Sequence, residues 1–164
     1  MSIFYQSILV LFLSLNLTTT IYAADQQFSK MLEFEKNHSI NVKIGLIKIP
    51  KEYAYRDYIR WGADKFSPNY IVETFSIEIN GNKCHVPLSA FSDISNIKDL
   101  NLKKIKKGIF ISISGGDAAL SFSADYLVEK GCYIRDRKIY SNEFPERTWE
   151  HTEYSFNMYY DEMN

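Results

Sequence analysis

The clearest pattern in the chain is period two. Ile40-Asn-Val-Lys-Ile-Gly-Leu-Ile-Lys-Ile49 sets apolar against polar positions at its start, which places side chains on opposite faces of a half-buried strand. Pro50 ends it. Tyr70 to Ile79 alternates again, with Ile71, Phe75, Ile77 and Ile79 set against Val72, Thr74, Ser76 and Glu78. Asn80-Gly81 follows, a strong hairpin signal because both central residues of that turn need positive φ, and Cys84 to Leu88 is expected to pair back. Gly108 to Ser114, Leu120 to Val128, Cys132 to Tyr140 and Thr148 to Met158 read as further strands, with turns at Gly115-Gly116-Asp117 and Lys130-Gly131. Residues 89–107 are polar and lysine-rich, with Ile94, Ile97, Leu100, Leu102 and Ile105 as apolar anchors. Two stretches suggest short helices. Phe28 to Lys36 carries Phe28, Met31, Leu32 and Phe34, and in residues 51–61 Ala54, Tyr58 and Trp61 recur at helical spacing before Gly62. The expected fold is a mainly β (β-rich α+β) single domain: an antiparallel β-sandwich or sheet of about six or seven strands with one or two short helices. No βαβ alternation is present, which disfavours a parallel nucleotide-binding sheet.

The N-terminus changes the compartment. Ile8 to Leu17 is an apolar run of about ten residues, where a membrane-spanning helix needs about 20 and a signal-peptide core about 7–15. Thr18-Thr19-Thr20 and Ile21-Tyr22-Ala23-Ala24 follow, so residues 1–23 read as a secretory signal peptide cut after Ala23, with Ala24 the second choice. The n-region has no Lys or Arg, and the competing reading is a buried N-terminal helix or strand. Residues 24–164, about 141 of them, then form one domain. The expected location is periplasmic or secreted, with no stable membrane anchor left after cleavage. Cys84 and Cys132 both fall in this part, and an even count in an oxidising compartment makes a disulfide the expectation. No CxxC is present to support a thioredoxin-like redox role.

Charge adds less. With 19 basic and 20 acidic residues the formal net charge is −1, so nothing draws the chain toward nucleic acid in general. The charges are nonetheless segregated. Lys98, Lys103, Lys104, Lys106 and Lys107 lie close together, while Glu143, Glu146, Glu150, Glu153, Asp161 and Glu162 face Arg147 alone. Such segregation can steer a charged partner, although lysines on a solvated loop also protect sheet edges.

Catalytic motifs are missing. The chain has no HExxH, no Cys/His cluster with metal spacing, no G-x-S-x-G elbow and no P-loop. Ser114-Gly115-Gly116-Asp117 joins two strands and reads as a β-turn. Glu150-His151-Thr152-Glu153 would send His151 and Glu153 to one face and Glu150 and Thr152 to the other, a polar face with no third metal ligand. No catalytic residue, metal site or cofactor is therefore assigned, and the chain is not read as an enzyme. The candidate partner-binding residues are Tyr53, Tyr55, Arg56, Tyr58, Arg60 and Trp61, the lysines Lys103, Lys104, Lys106 and Lys107, and Tyr159 with Tyr160. Tyr, Trp and Arg bury large areas while keeping a polar end satisfied. The sequon Asn37-His38-Ser39 matters only in a glycosylating pathway. These features suggest an exported binding protein of inhibitor or immunity type that occludes the active site of a toxin or cell-wall hydrolase, its partner being a protein. An envelope factor binding cell-wall, lipid or carbohydrate components is the alternative. A small hydrolase with a site assembled around His151 comes third.

Overall fold

A computed structural model describes residues 25–34, 38–50, 60–63, 68–117, 120–129 and 131–155. Nine strands follow in order: β1 Gln26–Glu33, β2 Ser39–Lys48, β3 Tyr70–Ile79, β4 Asn82–Lys83, β5 Ile97–Ile105, β6 Gly108–Gly115, β7 Phe122–Glu129, β8 Tyr133–Ser141 and β9 Thr148–Glu153. β1 to β4 form one antiparallel sheet and β5 to β9 a second, each strand lying beside its neighbour in sequence. The β-rich antiparallel reading holds.

Two expectations change. Residues 26–33 pair with β2 along their whole length instead of forming a helix. The lysine-rich stretch read as polar with apolar anchors contains strand β5, paired with β6. Both lie at sheet edges, where wet side chains on the exposed positions blur the two-residue period that marks a strand. A 3-10 turn lies at Leu88–Ala90. The predicted helix over 51–61 falls outside the described residues up to position 59, and Trp61 instead bridges Ile94 in parallel. The return strand after the Asn80-Gly81 turn is only two residues long.

The inner faces supply one continuous core. Ile40, Val42, Ile44 and Leu46 of β2 meet Ile109, Ile111 and Ile113 of β6 and Phe122, Ala124, Tyr126 and Val128 of β7. Along one border β1 lies near β5, where Lys30 Nζ donates to Asn101 Oδ1 at 2.7 Å. On the other side the Cys84–Cys132 disulfide joins the end of β4 to the turn before β8, beside a parallel bridge between His85 and Tyr133.

Bulges re-aim the strands. In β8, Leu127 pairs with Asp136 and Val128 with Ile134, leaving Arg135 as an extra residue. An extra residue reverses which side chains face inward. Ile134 is buried before the bulge, and Arg137 and Ile139 are buried after it. In β9, Ile139 pairs with Glu150 and Tyr140 with Thr148, so Trp149 is the extra residue.

Gly62 shows how tightly the loops are seated. Its φ is +82°, and a Cβ there would fall 2.6 Å from both Phe122 Cε1 and the Ser95 carbonyl oxygen. Gly62→Ala is expected to destabilise the fold by about 1–3 kcal/mol, seen as a lower urea midpoint at unchanged m-value.

Candidate functional site

Arg137 is 3 % exposed, an unusual place for a guanidinium, and the β8 bulge is what turns it inward. Its partners come from two segments, the 88–95 loop and β9. Nη1 donates to Asp93 Oδ1 at 2.6 Å and Nη2 to Asp93 Oδ2 at 2.9 Å, a two-pronged fit to the planar fork. Nη2 also donates to Glu150 Oε1 on β9, and Nη1 to the carbonyls of Ser89 and Ala90. Tyr126, buried beside it, donates its hydroxyl to the Ala90 carbonyl at 2.8 Å. Arg137 thus holds the 88–95 loop and β9 against the core.

The electrostatics follow. Burial on its own would favour loss of the Arg137 proton, but hydrogen bonds and charge from Asp93 and Glu150 outweigh it and raise the pKa above the ordinary arginine value. At Glu150, burial pushes upward, while hydrogen bonds from Arg137 and Thr152 and the Arg137 charge pull harder, and its pKa lies below the usual carboxylate value. Burial raises Tyr126 well above the usual phenol value. Carboxylates held as acceptors by one guanidinium make a clamp and are poorly placed for proton transfer.

What the clamp positions is aromatic. Glu150 Oε2 accepts from Trp61 Nε1 at 3.2 Å. The Trp61 backbone N–H donates to Asp93 O at 2.7 Å, and its carbonyl accepts from the Ser95 N–H at 3.0 Å and the Ser95 hydroxyl at 2.7 Å. Asn96, with φ of 47°, donates its side-chain amide to Gly62 O at 2.9 Å and accepts from the Asn69 and Tyr70 N–H groups. Against this fixed indole lies Trp149, with ring centroids 5.4 Å apart and planes 25° from parallel. Trp149 is 39 % exposed and Phe144 is 49 % exposed, with Arg147 beside the Phe144 ring. The Arg60 guanidinium donates to the Ser92 carbonyl. Glu143, Glu146 and Glu153 are exposed on the same loop and strand.

The sequence candidates separate. Arg60 and Trp61 belong to this site, while Tyr53, Tyr55, Arg56, Tyr58, Tyr159 and Tyr160 lie outside the described residues. Lys103 and Lys104 are on β5, and Lys106 and Lys107 are in the β5–β6 turn. β5 and β9 are opposite edges of the five-stranded sheet, so the charge segregation seen along the chain becomes a basic edge and an acidic edge. Cys84 and Cys132 are bonded. Trp149, Asp93 and Arg137 escaped the sequence reading. Ile134 and Ile139 stand five positions apart, an odd spacing that puts both inside only across a bulge, and this was the available signal for an inward Arg137.

His151 and Glu153 do share the outer face of β9, as alternation predicts. His151 Nε2 lies 2.8 Å from Asp136 Oδ1 and 3.9 Å from Glu153 Oε1. Among the described residues no group of three or more His, Cys, Asp or Glu side chains is placed to hold a metal ion. Among those residues, too, no helix is long and apolar enough to cross a membrane. Comparison with protein-family models, with curated proteins and with solved structures found no significant match.

Proposed function

We propose that the chain is an exported, non-enzymatic binding protein that blocks a partner protein, a toxin or a cell-wall hydrolase, by laying its β9 edge across the partner's active site. The observation that carries this reading is the Trp61–Trp149 stack, half-exposed at a sheet edge and braced from behind by Arg137 and Glu150. A rigid aromatic pair loses little side-chain freedom on binding, so most of its buried area counts toward affinity. Glu143 and Glu146 on the β8–β9 loop and Glu153 on β9 are exposed along the same edge and suit a basic rim on the target, and such charges act mainly on the rate of encounter. The predicted signal peptide and the disulfide agree with a meeting outside the cytoplasm.

The test is inhibition. The purified oxidised chain is added to a panel of muramidases and amidases clearing purified peptidoglycan, and passed over periplasmic extract to look for a stoichiometric partner. Inhibition of at least one enzyme is expected. Trp149→Ala should weaken it by about 2 kcal/mol, roughly thirtyfold, while the thermal melt moves little because this ring is at the surface. No inhibition together with no stoichiometric partner would overturn the proposal.

A further inference from the structure

The opposite end of the sandwich has a different character. Gly62 packs against Phe122 and Gly116 near the β6–β7 connection, which places the tryptophan pair at that end. At the other end, where Gly108 pairs with Glu129, the sheets part and leave a cleft of about 460 Å³. Its apolar walls include Phe34, Ile79, Ile109 and Val128, drawn from both sheets, and its rim carries Lys104 and Lys106. Ile109 is 5 % exposed and Val128 0 %, so the floor is the edge of the core itself.

The charges around it are uneven. Lys104 Nζ sits 4.6 Å from the centroid of the Phe34 ring, at the boundary between the apolar wall and the basic rim. His38 and Lys106 add further basic side chains. Among the described lining residues the one carboxylate is Glu129, which accepts the Tyr133 hydroxyl at 2.7 Å. The backbone here is paired as well, with Gly108 opposite Glu129 and Ile109 opposite Val128. No open ladder is offered to a peptide strand at that wall, and recognition must come from side chains.

An apolar slot with cations at its mouth fits an amphiphile with one chain and one negative head. The volume lies within the roughly 300–1,000 Å³ of small-molecule sites. We infer that this cleft binds a medium-chain fatty carboxylate, its chain between the sheets and its head group at Lys104 and Lys106. The lysine cluster then has a ligand-binding role separate from the tryptophan edge and independent of the inhibitor reading.

The experiment is a nitrogen-15 NMR titration of the purified oxidised chain with sodium dodecanoate below its micelle concentration, with dodecanol as the uncharged arm. Saturable shifts are expected at Asn80, Gly108, Ile109 and Glu129, with dodecanoate bound about tenfold more tightly than dodecanol. Lys104→Gln with Lys106→Gln should erase that difference. Lys106→Gln alone keeps the Lys104–Phe34 contact and should reduce it in part, with an unchanged melting temperature guarding against a folding artefact. Trp149→Ala should leave dodecanoate binding intact, so failure here and failure of the inhibitor reading are separable. Absence of saturable shifts, shifts centred on Trp61 and Trp149, or equal affinity for both probes would overturn the inference.

Discussion

Serine at both Cys84 and Cys132 is expected to lower the free energy of unfolding by about 4 kcal/mol. The bond closes a loop with a sequence separation of 48 residues. The chain-entropy relation for a loop of that length gives about 4 kcal/mol at room temperature, taken from the freedom of the unfolded chain. For a domain of this size the melting temperature should fall by roughly 10–20 °C. The position of the bond matters too. β4 is two residues long and is paired through Glu78 and Ile79 alone, so the strand has little of its own to hold it. Just beyond it, the Cys84 N–H donates to Ile77 O at 2.8 Å and the His85 N–H to Cys132 O at 3.0 Å, and the disulfide closes the join between the sheets at that point. Thermal melts of the native chain with and without reductant, beside the double-serine variant, make the check. Reduced native protein and the variant should melt together, both well below the oxidised form. Melts that coincide in all three samples would show that the core alone sets the stability.

Arg137→Ala is expected to cost about 3 kcal/mol. Removing one member of a buried ion pair leaves its partners without a counter-charge in a poorly hydrated place, and losses of about 3–5 kcal/mol follow. The lower end applies because the Asp93 and Glu150 side chains each keep about 30 % of their exposure. Arg137→Lys should recover only part of the loss, since an ammonium cannot meet both oxygens of Asp93 in one plane. The pH dependence carries a sign. Glu150 has a folded pKa below its unfolded value, so its contribution is fully present above the ordinary glutamate range and is lost as the pH falls through the folded value. Urea unfolding between pH 7 and pH 3 should therefore show a falling acid limb in the native chain. In Arg137→Ala the limb should be shallower, because the hydrogen bond and charge that depress Glu150 are gone. Equal slopes in the two proteins would place the acid sensitivity elsewhere.

These two results bear on different parts of the molecule, and the sequence speaks to them unequally. The disulfide follows from two cysteines in a chain read as exported, and it is there. The Asn80-Gly81 turn is equally legible, with φ of 53° and 81° at its two central residues, because the need for positive φ is a property of those residues themselves. β2, β6 and β7 announce themselves by alternation, since one face of each meets the core. β3 and β8 change face at a bulge, so that Val72 is buried where the alternation sets it with the polar positions, and Ile134 and Ile139 are both buried. The edges do not. β1 has Met31 60 % exposed, and its lysine and glutamate spoil the period, so a strand defined by its neighbour looks like a helix when read alone.

The site divides the same way. Arg60 and Trp61 are visible as binding residue types, and the acidic run around Glu150 is visible as charge. Their meeting is not, because Trp61 and Glu150 lie 89 positions apart. What local sequence determines is the two-residue period, the turn chemistry and the pair of cysteines, all of which depend on a residue and its immediate neighbours. What tertiary structure alone decides is which face each strand buries beyond a bulge. One extra residue at Arg135 turns Arg137 inward, and one at Trp149 accompanies the stack on Trp61. The physical reason is that a bulge is set by the register with the neighbouring strand, a long-range pairing that the residues of either strand cannot specify alone.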